Sequence, residues 1–597
     1  MAYRIDPTDE NALVLDGHRN GIADSPYEGI SDMRNVNIIP IPGEASVNFA
    51  TSTISQQPQS GNVTSASAGS DTIALSGATF ESGTAVVFAG GSLPGNVVEG
   101  TIYWAVGSAG TYELYTNYAR TVLLNISSDG TGTWATVDMG RPKYFTVVNV
   151  GTSSFYWMID ANGRAWSNTT PTTGGNSSWT YTGNKINNNS IGNGIGSYVA
   201  SDGTAYVFVF SNSSIDYTVA TTATSISWVY QWNPSAGTNG GFNANPTQRL
   251  KTSSALNYNH ETIVATDNRF YYTDANWVGR FYQTAAGTAF DPTNTSTYTF
   301  DQTSVLPFND VGNCITQLGN DIIVGGQKNV IYRWDRFSAN NHDPILIAEF
   351  NTRKLVTVNT NTYIFSGNRG RIYITNGSQA QFYKKIPDHL SGTVEPYYTW
   401  GGACSNKNQL YFSASVTTNA NVAITTMGGV WSIDLDNEAI RLTNKLSYAT
   451  YAGYASAIIP NFLSTAAGTG LFIGWDSGSS TYGLDTTVSD PYTGSQAYID
   501  YDLIPIGTFL RPKAFKTVEY KLSEPLASGE SVSIYYRLVF DSPSAGYTLV
   551  FTSSTAGVYS DNSPVNFENA QWIQLRAVLN SVASNPSYVR LREIRIK

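Results

Sequence analysis

The residues best equipped for chemistry are few and scattered. Four histidines, His18, His260, His342 and His389, and two cysteines, Cys314 and Cys404, serve 597 positions. No two histidines stand at a metal-ligand spacing such as His-x-x-x-His, so each reads as a surface or packing residue. The cysteines lie far apart, imply no disulfide framework and read as small buried residues of sheets. Asp434-Leu-Asp-Asn-Glu438 brings three carboxylates together. It lacks the central glycine and distal glutamate of a calcium loop and reads as a solvated hairpin turn.

Glycosidase chemistry of the sialidase type needs an arginine cluster for a carboxylate, a tyrosine or carboxylate nucleophile and an acid partner. Its blades usually carry a Ser-x-Asp-x-Gly-x-x-Trp turn. Ser127-Ser-Asp-Gly-Thr-Gly-Thr-Trp134 has the glycines misplaced, and Asp160-Ala-Asn-Gly-Arg-Ala-Trp166 lacks the serine. There is no phosphate loop, nucleophile elbow or Cys/His pair. The sequence therefore predicts no catalytic residue, no metal ligand and no cofactor.

The elements that would carry any site are strands. Tyr144 to Ile159, Tyr198 to Phe210, Thr262 to Tyr272, Ile315 to Trp334, Leu355 to Ile374, Gln409 to Ile433 and Gly470 to Trp475 are alternating apolar segments divided by Asn-Gly, Asp-Gly and Gly-Asn turns. Such pairs read as antiparallel hairpins. Their recurrence at roughly 40–60 residues is the spacing of propeller blades. The expected fold is all-β: an irregular six- or seven-bladed β-propeller with a small inserted β-sandwich and a C-terminal β-sandwich or jelly-roll-like domain.

Four regions follow: an N-terminal arm over 1–60, the inserted sandwich over 61–140, the propeller over 141–490 and the C-terminal β domain over 491–597. The arm holds little regular pattern and reads as an entry segment packed on its neighbour. In the insert, Thr72–Leu75, Ala85–Phe88, Ile102–Val106 and Thr111–Tyr115 predict four strands, and their short turns predict a module that folds alone. Two polar loops, 168–193 and 283–303, are expected on one rim. In the last region Val518, Tyr520 and Leu522 share a face. The basic strand 589–596 reads as an exposed or interface-facing edge, and together they are expected to offer an apolar and edge-strand surface for contacts between subunits.

Charged residues make up 13% of the chain, and the net charge is −10. That balance argues against a protein gripping nucleic acid through a basic groove. No apolar h-region follows Met1 and no run approaches the ~20 residues that span a bilayer. Synthesis in a cytoplasm is expected, and sequons such as those at Asn62 and Asn125 then reflect composition.

Three stretches carry a resemblance. Gly21-Ile-Ala-Asp-Ser-Pro26, Asp32-Met-Arg-Asn-Val36 and Pro42-Gly-Glu44 resemble the opening of virion proteins of tailed bacteriophages. Ser82-Gly-Thr-Ala-Val-Val-Phe88, Leu93-Pro-Gly95 and Gly100-Thr-Ile-Tyr-Trp104 look like a small sandwich inserted in phage structural proteins. Lys513-Ala-Phe-Lys-Thr-Val-Glu519, Gln574-Leu-Arg576 and Leu591-Arg-Glu-Ile-Arg-Ile596 are similar to the C-terminal domain of the same tail proteins. The family implied is the tail nozzle (tail tubular) proteins of short-tailed phages.

That resemblance implies a structural, non-enzymatic virion subunit and a homo-oligomer, expected as a hexamer. The ring would surround the DNA channel below the portal and adaptor, meet the tail fibres, pass double-stranded DNA without holding it and insert in no membrane. A tail-tip or tail-fibre receptor-binding protein that recognises a bacterial surface glycan is the alternative.

Overall fold

Short turns fold the middle of the chain back on itself into small antiparallel sheets arranged around one axis. The computed structural model describes residues 59–168, 179–185, 191–213, 226–232, 261–283, 298–388, 396–418, 427–445, 454–460, 470–476, 482–491, 497–538, 546–567, 572–582 and 589–597, short gaps apart. Before residue 59 it describes the strands alone. Among these residues there is no α-helix, and a 3-10 turn spans Pro307–Asn309.

Seven sheets form the blades. Blade 1 runs Pro142–Val150, Ser153–Asp160, Arg164–Asn168 and Thr180–Lys185, and blade 2 Ile191–Val199, Ala205–Ser213 and Ile226–Trp232. Blade 3 runs Thr262–Val264, Phe270–Asp274, Trp277–Gln283 and Tyr298–Val305; blade 4 Gly312–Leu318, Asp321–Gly326, Val330–Trp334 and His342–Leu346. Blade 5 runs Thr352–Val358, Asn361–Ser366, Arg371–Thr375 and Ala380–Lys385; blade 6 Tyr397–Asn406, Gln409–Thr417, Gly429–Asp434 and Ala439–Lys445. Blade 7 takes Tyr454–Pro460, Leu471–Asp476 and Tyr482–Pro491, and its outermost strand, Phe49–Thr53, comes from the N-terminal region. The first strand of each blade neighbours that of the next, and the seventh neighbours the first, so the ring closes.

The second strand of a blade is covered on both faces, and its sequence shows it. Ile322, Ile323 and Val324 of blade 4 are all fully buried, and Leu410, Tyr411 and Phe412 of blade 6 are buried likewise. Continuous apolar runs there, rather than strict alternation, are what two covered faces require.

The insert departs from the expected sandwich. Ser60–Ser67, Thr72–Leu75, Thr84–Ala89, Ile102–Ser108, Thr111–Tyr115 and Gly132–Thr136 close into a six-stranded barrel. Closure removes the edges that an open four-stranded layer would leave. Phe80, Tyr112 and Trp134 fill it, with ring centroids 4.6 and 5.3 Å apart. Trp104 points out of the barrel instead and donates its indole N–H to the Tyr181 carbonyl of blade 1 at 2.9 Å. Barrel and propeller share a core of Trp104, Met139, Trp166, Trp179 and Tyr181.

The region 1–60, expected as an entry segment with little regular pattern packed on its neighbour, supplies short strands to the sheets around it. Ile30–Arg34 lies between the outer strand of blade 6 and Ala497–Tyr501, and joins the propeller to the terminal sheet Ala497–Tyr501, Trp572–Asn580, Ser531–Leu538 and Thr548–Ser553. The facing sheet holds Tyr3–Asp6, Asp9–Leu15, Arg590–Ile596, Thr517–Leu522 and Ser560–Pro564, with Ala45–Val47 against Arg590–Ile596. The final strand is therefore no edge: it is paired by Asp9–Leu15 and Ala45–Val47 on one side and Thr517–Leu522 on the other. Val518, Tyr520 and Leu522 are buried in the core between the two sheets, so the face expected to make ring contacts is the inside of a sandwich. Alternation there reports the sandwich core rather than an interface.

Candidate functional site

The inner strands carry one local irregularity at nearly the same place. Their pairing with the second strand slips near the start in blades 1, 2, 4, 5, 6 and 7: at Pro142/Tyr144, Gly192/Gly194, Gly312/Cys314, Thr352/Lys354, Trp400/Ala403 and Ala455/Ala457. A bulge leaves one residue unpaired and re-aims side chains around it. In blades 1 and 5 the residue passed over is a cation, Lys143 and Arg353, and in blade 6 it is the pair Gly401-Gly402. All four line one cavity of about 490 Å³ at the axis, where the inner strands begin.

That cavity is cationic in an acidic protein. Arg141, Lys143, Arg353 and Lys354 stand in its wall against a single carboxylate, Glu261. Phe145, Trp400, Ile458 and Ile459 supply apolar wall. Lys354 Nζ reaches both Glu261 oxygens at 2.7 Å, and Arg141 Nη1 sits 3.1 Å from Asp476. With the Asn351 amide turned to satisfy both of its neighbours, its oxygen accepts from the Arg353 guanidinium at 2.9 and 3.3 Å and its nitrogen faces Asn313. Lys143 lies 5.3 Å from the Tyr144 ring centroid, and burial, helped by the nearby Arg141 charge, lowers its pKa to about 8. Cys404 also faces the cavity; burial raises its thiol to about 12, which leaves it un-ionised and a poor nucleophile at neutral pH.

Buried carboxylates hold the rim. Asp310, just before the inner strand of blade 4, accepts from the backbone N–H groups of Gln327 and Lys328 at 3.0 and 3.2 Å and from the Tyr332 hydroxyl at 3.0 Å. Glu349 repeats this in blade 5 with Arg369 N–H and the Tyr373 hydroxyl. Glycines make room: a Cβ on Gly326 would meet Asp310 at 2.2 Å, and one on Gly367 would meet Glu349 at 1.7 Å, where φ is +69°. In blade 1, Asp160 ties its own turn to the chain entering the blade. It accepts from Gly140 N–H, Arg164 N–H and the Trp166 indole at 2.8–2.9 Å. Burial raises its pKa and these hydrogen bonds oppose the rise. The Asp160–Trp166 turn is thus a structural staple.

The other residues singled out in the sequence do not converge. His18, His260 and His389 lie outside the described residues, as does most of the two long loops. His342 is buried beside the Ser304 hydroxyl and the rings of Tyr332 and Trp334, and burial lowers its pKa to about 4. Asp434 and Glu438 flank the hairpin turn between the last two strands of blade 6, where Asp434 accepts from Asp436 N–H at 3.1 Å. Cys314 is buried in blade 4, and its thiol is raised by desolvation. Sequence reasoning missed the axial cations. Lys143 and Lys354 read as ordinary polar positions of alternating strands, and only the repeated bulge reveals where they point.

No family model matches the chain, and no curated protein matches it. Among solved structures, Raptor from Chaetomium thermophilum aligns with a TM-score of 0.38 at 11% identity, over 60% of this chain and 28% of that one. YCF48 bound to D1 peptide aligns at 0.38 and 8% identity, over 59% and 94% of the two chains. BBS1N in complex with ARL6DN aligns at 0.34 and 9% identity, over 58% and 92%. The seven-bladed ring itself rests on the strand pairing described above.

Proposed function

We propose that this chain is a structural subunit of a phage tail: a nozzle protein that assembles as a closed homo-oligomeric ring around the DNA ejection channel, below the portal and adaptor. It acts without catalysis, in the virion, and lets duplex DNA pass. The sequence resemblance at both ends and in the insert motivates the reading. The observation that carries it is a run of exposed large apolar side chains on blades 4 and 5 and their connections: Phe308, Phe337, Leu346, Phe350 and Phe382, with Phe337 83% exposed. Isolated exposed apolar residues are ordinary, but such a concentration on two adjacent blades is what a subunit contact would cover. The terminal sandwich buries Val518, Tyr520 and Leu522 between its sheets, so blades 4 and 5 replace that face as the surface offered to a neighbouring subunit.

The test is assembly. Native mass measurement of the purified chain with its adaptor should give a closed ring, six subunits on this reading. Phe337→Ser and Phe350→Ser together should return it to folded monomers. A trimer that binds bacterial surface glycan would favour the receptor-binding alternative and overturn the nozzle. A closed ring unaffected by the double substitution would move the contact away from these blades.

A further inference from the structure

Whatever the chain assembles into, its axial cavity has the make-up of a ligand site. Bulges in the inner strands of blades 1 and 5 leave Lys143 and Arg353 outside the ladder and in the cavity wall. Arg141 and Lys354 add to the same wall, each held by a carboxylate, Asp476 and Glu261. Four cations against two carboxylates, Glu261 in the wall and Asp476 on Arg141, still leave the space positive, in a chain whose net charge is −10. Burying like charges together is costly unless something of opposite sign offsets them. Apolar and aromatic wall beside the cations suits a molecule with an anionic end and a hydrocarbon or ring body, and about 490 Å³ is the size range of small-molecule sites.

We propose that the axial cavity binds a small organic anion, a molecule carrying one phosphate or carboxylate group on an apolar or ring-bearing body, with Lys143 and Arg353 taking the anionic group and Trp400 and Ile458 the body. Arg353 suits such a group because its planar fork can pair two oxygens at once. Its donors also face Asn351, which fixes the guanidinium at the cavity wall. The depressed pKa of Lys143 agrees with this arrangement, since a bound anion would return the ammonium to its ordinary range. A second cavity, of about 480 Å³ between blades 5 and 6, shares Arg353, Thr399 and Trp400 with the first and holds Arg369 and Glu349. It offers two cations against one carboxylate and less apolar wall.

Titration calorimetry of the full chain with phenyl phosphate, phenylacetate and inorganic phosphate tests the assignment. One saturable site per chain is expected. Phenyl phosphate or phenylacetate should bind more tightly than inorganic phosphate, and the preference between those two identifies the anionic group. Lys143→Met and Arg353→Gln should each weaken binding about tenfold or more, the loss of one charge-assisted contact, while Lys516→Gln, at an exposed position just before Thr517–Leu522 in the terminal sandwich, leaves it unchanged. Lys143→Met keeps the aliphatic stem and so decides the matter even if Arg353→Gln does not fold. Absence of binding up to about 10 mM, equal binding in both cavity variants, or binding lost only in Arg369→Gln would overturn the proposal.

Discussion

At the scale of single residues, two positions hold much of the account. Lys143 is charged at neutral pH, although burial lowers its pKa from 10.5 to about 8. The depressed value means that the folded state disfavours the ammonium. The cost is fully present below about pH 8 and is relieved as pH rises from about 8 to 10.5. Lys143→Met should therefore raise thermal stability at pH 7, by roughly 1–2 kcal/mol after allowing for partial solvation. The gain should shrink towards pH 10, as melting curves across pH will show; a gain independent of pH would contradict the burial of this charge. Gly367 is the second position. Its φ of +69° and the 1.7 Å approach of Glu349 leave no space for a methyl group. Gly367→Ala should cost about 2–4 kcal/mol in denaturant unfolding, whereas Gly319→Ala, with φ +59° but open space around its Cβ, should cost only about 1 kcal/mol.

At the scale of elements, the blades were legible because each pairs strongly alternating strands across tight turns. Phe270–Asp274 and Trp277–Gln283, or Asn361–Ser366 and Arg371–Thr375, announce themselves by aromatic and β-branched residues. Strands whose partners are distant in sequence were not legible. Phe49–Thr53, Phe-Ala-Thr-Ser-Thr, looks like linker, yet it completes blade 7 opposite Tyr482–Pro491. Ser60–Ser67 is mostly polar, with only Val63 and Ala66 buried, and Gly132–Thr136 hid inside a sequence resembling a blade turn; both are barrel staves. The axial cations were invisible for the same reason: a bulge is a property of pairing, and a single strand read alone does not reveal it.

Two predictions belong to this scale. Removing residues 1–53 takes the outer strand from blade 7 and the strand that bridges blade 6 to the terminal sheet. The melting temperature should fall by well over the roughly 1 °C that a loss of 1 kcal/mol causes in a chain this size, and amides of blade 7 should lose exchange protection. Replacing residues 61–136 by a short Gly/Ser linker is the second. Although the barrel has its own core, its Trp104 covers Tyr181, Trp166 and Trp179. The truncated chain should bind more of an apolar-surface dye and melt lower than the intact one. Unchanged dye binding and melting would show the barrel to be a separable appendage, as its sequence suggested.

At the scale of the whole molecule, one closed chain path links its parts. The N-terminal strands enter the terminal sandwich, cross to blade 6, close blade 7 and then run into the barrel and blade 1. The chain returns through blade 7 to the sandwich, where Arg576 is held between the rings of Tyr498 and Tyr547, 4.2 and 4.1 Å from their centroids, and forks onto Asp500 at 2.5 and 2.7 Å. Such interlocking suits a subunit that must keep its shape under load, and among the described residues blades 4 and 5 carry the most exposed phenylalanines. The nozzle proposal is tested most directly by imaging the tail of a virion that contains this chain. Averaged cryo-electron density should show copies of the seven-bladed propeller with its barrel in one closed ring on the tail axis, around a channel that passes duplex DNA. Density that places the chain in peripheral trimers, or finds none of it on the tail axis, would contradict the account.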